Sequence, residues 1–160
     1  MNINESFAAG LKQNLEMFKM HIADLSDADL MQRPVSDANH ANWQIGHLIV
    51  AETGMCAKAG ASMPELPAGF ADRYKKDTSK SDDASKFATK ADLIAQYEKT
   101  RAGTIAWAKS LTPAQLDAVS PFPHMCPTVG DLVFLCSGHV LMHAGQIQVL
   151  RRKLGKPILF

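Results

Sequence analysis

His139 and His143 stand four residues apart in the most hydrophobic stretch of the chain, among Leu, Val and Ile. An i,i+4 pair shares one face of a helix, one turn apart. One helix can offer two ligands to one metal ion in this way. The competing reading is a pair of core imidazoles, each costly to bury unless its ring nitrogens find partners. His47 holds the equivalent place on an earlier apolar stretch, between Trp43 and Val50. Three imidazoles from two facing helices can meet inside a bundle, where metal sites of such folds are built. A three-His set leaves coordination positions open, as a catalytic ion requires.

Three neutral imidazoles leave the charge of a divalent ion uncompensated. Such an ion lowers the pKa of bound water to about 7, which opens hydrolysis. It also deprotonates a coordinating thiol, which opens thiol transfer to an electrophile and needs no separate base. The one acid close to these residues is Glu52, five positions after His47. At 100° per residue it lies about 140° round the helix from His47 and does not face the ion. The missing base favours thiol transfer over hydrolysis.

Other candidates carry two readings each. Arg101 and Tyr97 lie on the inner stripe of a later helix, either to meet an anionic substrate group or as a snorkelling cation and a core ring. Gln146 either supports a ligand from behind or makes a bundle contact. Arg151, Arg152 and Lys153 are expected to complement the negative end of the last helix. His21 falls off its helix's main stripe and reads as surface or boundary, while His40 and His124 lie in loops that could approach a site mouth. Cys136, three residues before His139, reads as a small core hydrophobe before it reads as a ligand. Val140 after His139 excludes the HExxH of zinc proteases, and the absence of paired ExxH motifs argues against a di-iron centre. There is no P-loop and no GxGxxG.

The elements that must position these residues read as helices throughout. Phe7, Leu11, Leu15, Phe18, Ile22 and Leu25 mark an apolar face from Asn4 to Leu25. Ser26–Asp29 resembles a capping box opening a short turn that Pro34 ends. A second helix starts near Asn42, with Trp43, Gly46, His47, Val50, Gly54 and Ala57 on one stripe and Gly60 as terminator. From Gly60 to Thr89 runs an irregular segment, read as a lid or partly mobile link too polar to add to the core. Thr89–Asp92 reads as a second capping box, opening a third helix to Leu111, whose stripe includes Leu93, Tyr97, Arg101, Thr104 and Ala108. Thr112-Pro113 opens a short turn of helix. Thr128–Asp131 caps the last helix, which ends at Leu154 before Gly155. Its inner stripe is Val129, Leu132, Cys136, His139, His143, Ile147, Leu150 and Leu154. No stretch alternates as a strand. The expectation is one all-α domain over residues 1–160, a four-helix bundle with a long irregular connection between helices two and three.

Composition fits that reading. A chain of 160 residues, 46% hydrophobic and 21% charged, is an ordinary single globular domain. A net charge of +1 and short basic pairs argue against nucleic acid as a main partner. The N-terminus lacks a basic stretch followed by an apolar run, so no signal peptide is expected. Three cysteines without a CxxC fit free thiols in a reducing cytoplasm.

Two segments carry a family resemblance. Asn42-Trp43-Gln44-Ile45-Gly46-His47-Leu48, followed by Glu52, resembles the first metal-ligand segment of the DinB-like proteins. Gly138-His139-Val140-Leu141-Met142-His143-Ala144-Gly145-Gln146-Ile147, continuing to Leu154-Gly155, is similar to their closing helix. Together the two cover about a quarter of the chain. The resemblance implies a four-helix bundle with an unusual connection order. It also implies that His47, His139 and His143 match three ligands of a divalent metal, nickel or zinc. The wider superfamily includes transferases and isomerases that use low-molecular-weight thiols, so the expected activity is thiol transfer to an electrophilic small molecule, with metal-dependent hydrolysis as the alternative. A third possibility is a non-catalytic dimeric bundle with a structural metal or none. Cytoplasmic location and a homodimer are the remaining expectations.

Overall fold

The computed structural model describes residues 2–159. Four long helices form the bundle: α1 (Ile3–Ile22), α3 (Ala41–Lys58), α5 (Lys90–Ser110) and α7 (Val129–Lys153). Three short ones, α2 (Asp27–Leu30), α4 (Phe70–Arg73) and α6 (Pro113–Asp117), sit in the connections. Among the described residues the extended structure is a single bridge between Val119 and Thr128. α1 packs on α5 and α7, and α3 packs on the same two helices. The first two long helices are therefore diagonal neighbours, and the order departs from simple up-and-down.

Local chemistry fixes the ends. Ser26, Thr112 and Thr128 each form a reciprocal capping box, and Pro113 occupies the first turn of α6. Thr89 accepts from the Asp92 amide to start α5. Gly155 takes φ +68° just past α7, a conformation glycine adopts without strain. α1 stops at Ile22, and Leu25 is buried beyond its end.

The core divides into two apolar clusters. One gathers Phe18, Trp43, Ile45, Tyr74, Tyr97, Val140 and their neighbours. The other gathers Leu11, Cys56, Trp107, Leu132 and Cys136. Between them along the helices lies a polar layer: Asn14 donates to the Ser137 carbonyl (2.9 Å), and Glu52 meets Arg101 and Thr104. This layer displaces the expected stripe of α3. Gly54 and Ala57 face solvent, and the buried side runs through Ile45, Leu48, Ile49, Glu52 and Cys56.

The segment from Gly60 to Thr89 is part of the core, contrary to its polar composition. Phe70, Tyr74, Phe87 and Ala88 are buried in the first cluster. The Tyr74 hydroxyl accepts from the Ala88 amide (2.9 Å) and donates to Asn42 Oδ1 (3.3 Å), and Asn42 Nδ2 donates to the Ala88 carbonyl (2.8 Å). Arg33 pins the far side through Asp82 and the Ala38 and Ser79 carbonyls. Phe70 and Tyr74, one turn apart across α4, and the distant Phe87 anchor an otherwise charged strap.

Three basic side chains not read as part of the core are buried in it. Arg151 is 1% exposed. It pairs with Asp24 and donates to the carbonyls of His21 (2.9 Å) and Pro157 (3.0 Å), tying the last helix to the end of the first. His21 is buried, with Nδ1 donating to the Met17 carbonyl at 2.7 Å. His40 is the N-cap of α3: Nδ1 accepts from the Trp43 amide (3.0 Å), and Nε2–H donates to the Ser81 carbonyl (3.1 Å).

That role makes His40 sensitive to acid. Burial, then the Arg33 charge, push its pKa from 6.5 down to about 4. The unfolded chain takes up the proton near 6.5, so acidification draws the protein towards the unfolded state. The contribution is complete above pH 6.5 and disappears as the pH falls towards 4. His40→Asn keeps a capping side chain without the charge. Its urea midpoint at pH 7 is expected below wild type, because the Ser81 contact is lost. Its drop between pH 7 and pH 5 is expected to be smaller than the wild type's.

Candidate metal centre

α3 and α7 pack against each other and bring three imidazoles into one cluster. One ligand nitrogen from each of His47, His139 and His143 lies within 4.8 Å of the others. Ring centroids are 5.0 Å apart for His139–His143, 5.6 Å for His47–His139 and 5.7 Å for His47–His143. His143 is buried, whereas His47 and His139 are half-buried, so the cluster opens to solvent on one side. The expectation that both α7 histidines are fully core residues holds for His143 alone.

Gln44 sets the protonation of His143. Its amide nitrogen donates to the Asn39 carbonyl at 2.8 Å, which leaves Oε1 as the group facing the ring. His143 Nδ1 lies 2.8 Å from that oxygen and must carry the proton. Nε2 is then the lone-pair nitrogen, and it is buried without a hydrogen-bond partner. A buried nitrogen left bare usually marks a missing ion or water. Neither Gln146 nor any other α7 side chain supplies this support. Gln44 was legible only as an amide set between Trp43 and Ile45, three residues before His47, in a helix that is otherwise apolar there.

His47 is held differently. The Trp43 indole stacks on it at 5.0 Å with planes 5° apart. Trp43 Nε1 in turn donates to the Lys75 carbonyl (3.2 Å) and to Thr78 Oγ1 (3.1 Å). The strap between α3 and α5 thus holds the ring against which one candidate ligand is set.

All three imidazoles are kept neutral. Burial, then His139 and His47, push the pKa of His143 down to about 4. Burial lowers His139, helped by His47 and Arg101, and burial lowers His47. Neutral imidazoles are the form that binds a metal.

The remaining candidates are not members of the cluster. Glu52 is buried, with Oε2 2.9 Å from Arg101 Nη2 and Oε1 accepting from Thr104 Oγ1 at 2.7 Å. Burial pushes its carboxyl up, opposed by Arg101 and Thr104. Arg101 also donates to the Tyr97 hydroxyl at 3.0 Å, and both residues are buried. They form the polar layer of the core rather than an exposed anion contact. Cys136 lies 3.7 Å from Cys56 in the interior and outside the cluster. His40 is a helix cap, and His124 is exposed on a loop.

Comparison with known proteins agrees with this architecture. The sequence pattern of the DinB superfamily matches residues 11–147, and the chain belongs to that superfamily. A solved structure described as the conserved protein of locus from Enterococcus faecalis is similar to it, with a TM-score of 0.68 over 98% of this chain and 99% of that one. At 16% identity that likeness concerns the fold alone. No curated protein matches the chain.

Proposed function

We propose that this DinB superfamily member holds one divalent metal ion, nickel or zinc, on His47, His139 and His143, and uses it to transfer a low-molecular-weight thiol to an electrophilic small molecule. The observation that carries the metal reading is the bare, buried Nε2 of His143, with Gln44 locking the proton on the other nitrogen. A divalent ion on three neutral imidazoles retains its full charge, which makes a coordinating thiol a thiolate and lowers the pKa of bound water. Among the described residues no fourth His, Cys, Asp or Glu joins the cluster, which supports an open site over a closed structural one. Glu52 is committed to Arg101 and Thr104 and is not placed as a general base, which supports thiol transfer over hydrolysis.

The thiol reading is tested with cobalt-loaded protein. Glutathione, bacillithiol or mycothiol is expected to produce a sulfur-to-metal charge-transfer band that His139→Ala/His143→Ala lacks. A spectrum unchanged by any of these thiols would remove thiol transfer and leave hydrolysis as the enzyme reading.

Gln44→Leu removes the acceptor that orients His143. Partners of this kind are worth about 10–100-fold in metal affinity. Competition with a chromogenic chelator is expected to show a loss in that range with the fold intact. An unchanged affinity would mean that Gln44 does not set the ligand.

A further inference from the structure

α7 is apolar on the side that faces away from the bundle as well as on the side that faces in. By length and mean hydropathy (1.2) it would pass for a membrane span, yet its inner side packs on α1 and α3. A helix apolar all round is normally covered all round. Phe134 is 70% exposed and Met142 57%, with Leu141 and Val149 also exposed. Gly138 and Gly145 lie on the same face, and a Cβ at either would meet nothing within 4 Å. At 100° per residue these positions fall in a sector about 100° wide, opposite the buried stripe.

The order of residues along this face is symmetric about the bond between Leu141 and Met142. Outward from that point, Gly138 answers Gly145, Phe134 answers Val149, and Asp131 answers Arg152. All of them are exposed. A face that reads the same in both directions is the pattern an isologous two-fold contact requires. We propose that the outer face of α7 is the contact surface of a homodimer, in which the α7 helices of two copies pack antiparallel. In that arrangement Leu141 meets Met142 of the second copy on the two-fold axis, Phe134 meets Val149, and Gly138 opposes Gly145 one turn to either side, where neither residue holds the helices apart. Asp131 at the positive end of one helix faces Arg152 at the negative end of the other, so both ends are complementary in charge. From Asp131 to Arg152 the face is about 32 Å long and one helix wide. The three-His cluster opens on the flank of α7, so each protomer keeps a complete site.

The mass of the tag-free full chain is measured by light scattering at high micromolar concentration. Wild type is expected at two chains, and Gly145→Glu and Met142→Glu at one, with helix content by circular dichroism unchanged. Orientation is read with a short bismaleimide, since the native cysteines are buried. Met142→Cys is expected to cross-link with itself. Val149→Cys is expected to stay uncross-linked alone but to link in a mixture with Phe134→Cys. A single-chain wild type would overturn the proposal and leave the face to another protein or a lipid surface. A dimer that survives both glutamate variants, or Val149→Cys linking to itself, would overturn it as well.

Discussion

Replacing Glu52 by alanine is expected to destabilise the fold by about 3–5 kcal/mol, the cost of leaving a buried charge without its partner. Arg101 is 1% exposed, and Nη2 is the nitrogen that meets Glu52 and Tyr97. Its Nε and Nη1 already lack hydrogen-bond partners in the interior. Without the carboxylate the guanidinium has no counter-charge, and the Thr104 hydroxyl is left with the longer bond to the Thr100 carbonyl (3.2 Å). Removing both charges together, as Glu52→Leu/Arg101→Met, is expected to recover most of the loss, because well-packed apolar residues replace a buried pair at little cost. Urea unfolding of the two variants checks this. If Glu52→Ala alone unfolds like wild type, the pair is not what holds the two core clusters in register.

Gly46→Ala is expected to be nearly as damaging, although alanine is the better helix former. A Cβ at this position would lie 2.2 Å from Cδ1 and Cε1 of the Tyr74 ring. The ring cannot retreat cheaply, since its hydroxyl holds the Ala88 amide and Asn42. Overpacking of this kind costs about 1–3 kcal/mol, and displacing the strap adds to it. In a Tyr74→Ala background the same substitution is expected to cost much less, a non-additivity that marks direct contact. Equal costs in both backgrounds would show that the ring and the helix do not compete for that space. Gly46 also precedes His47 directly, so the displacement is expected to disturb the cluster before it unfolds the chain.

The helices and their caps were legible because capping and apolar period are local properties. Ser26 and Thr128 each announce a helix start three residues ahead of its partner, and the structure closes both boxes. At Thr89, where a third is expected, the side chain accepts from the Asp92 amide without the reciprocal bond, and Thr112, expected as an N-cap alone, closes one with Gln115. The three histidines were legible because they sit within apolar runs, where a polar ring stands out. What escaped was polar chemistry whose partner is distant in sequence. Glu52 pairs with Arg101, Arg151 with Asp24, and Gln44 with His143. A charged residue defaults to solvent until its counter-charge is found, and nothing local to α3 points to α5. The strap was misread for a related reason. Phe70 and Tyr74 mark only one turn of helix, and nothing in the spacing reveals that Phe87, thirteen residues on, shares their pocket. His21 and His40 were misjudged because each is satisfied by one or two backbone groups, which sequence spacing does not display.

The central claim is that the three imidazoles form a metal centre, and elemental analysis tests it most directly. Tag-free protein, purified without chelator, is compared with His139→Ala/His143→Ala before and after incubation with nickel or zinc. The predicted result is about one metal per chain in wild type, as three ligands on a single ion require, and none in a double variant that remains helical. No stoichiometric metal in either protein, even after incubation, would contradict the claim and return His47, His139 and His143 to ordinary side chains of a helical bundle.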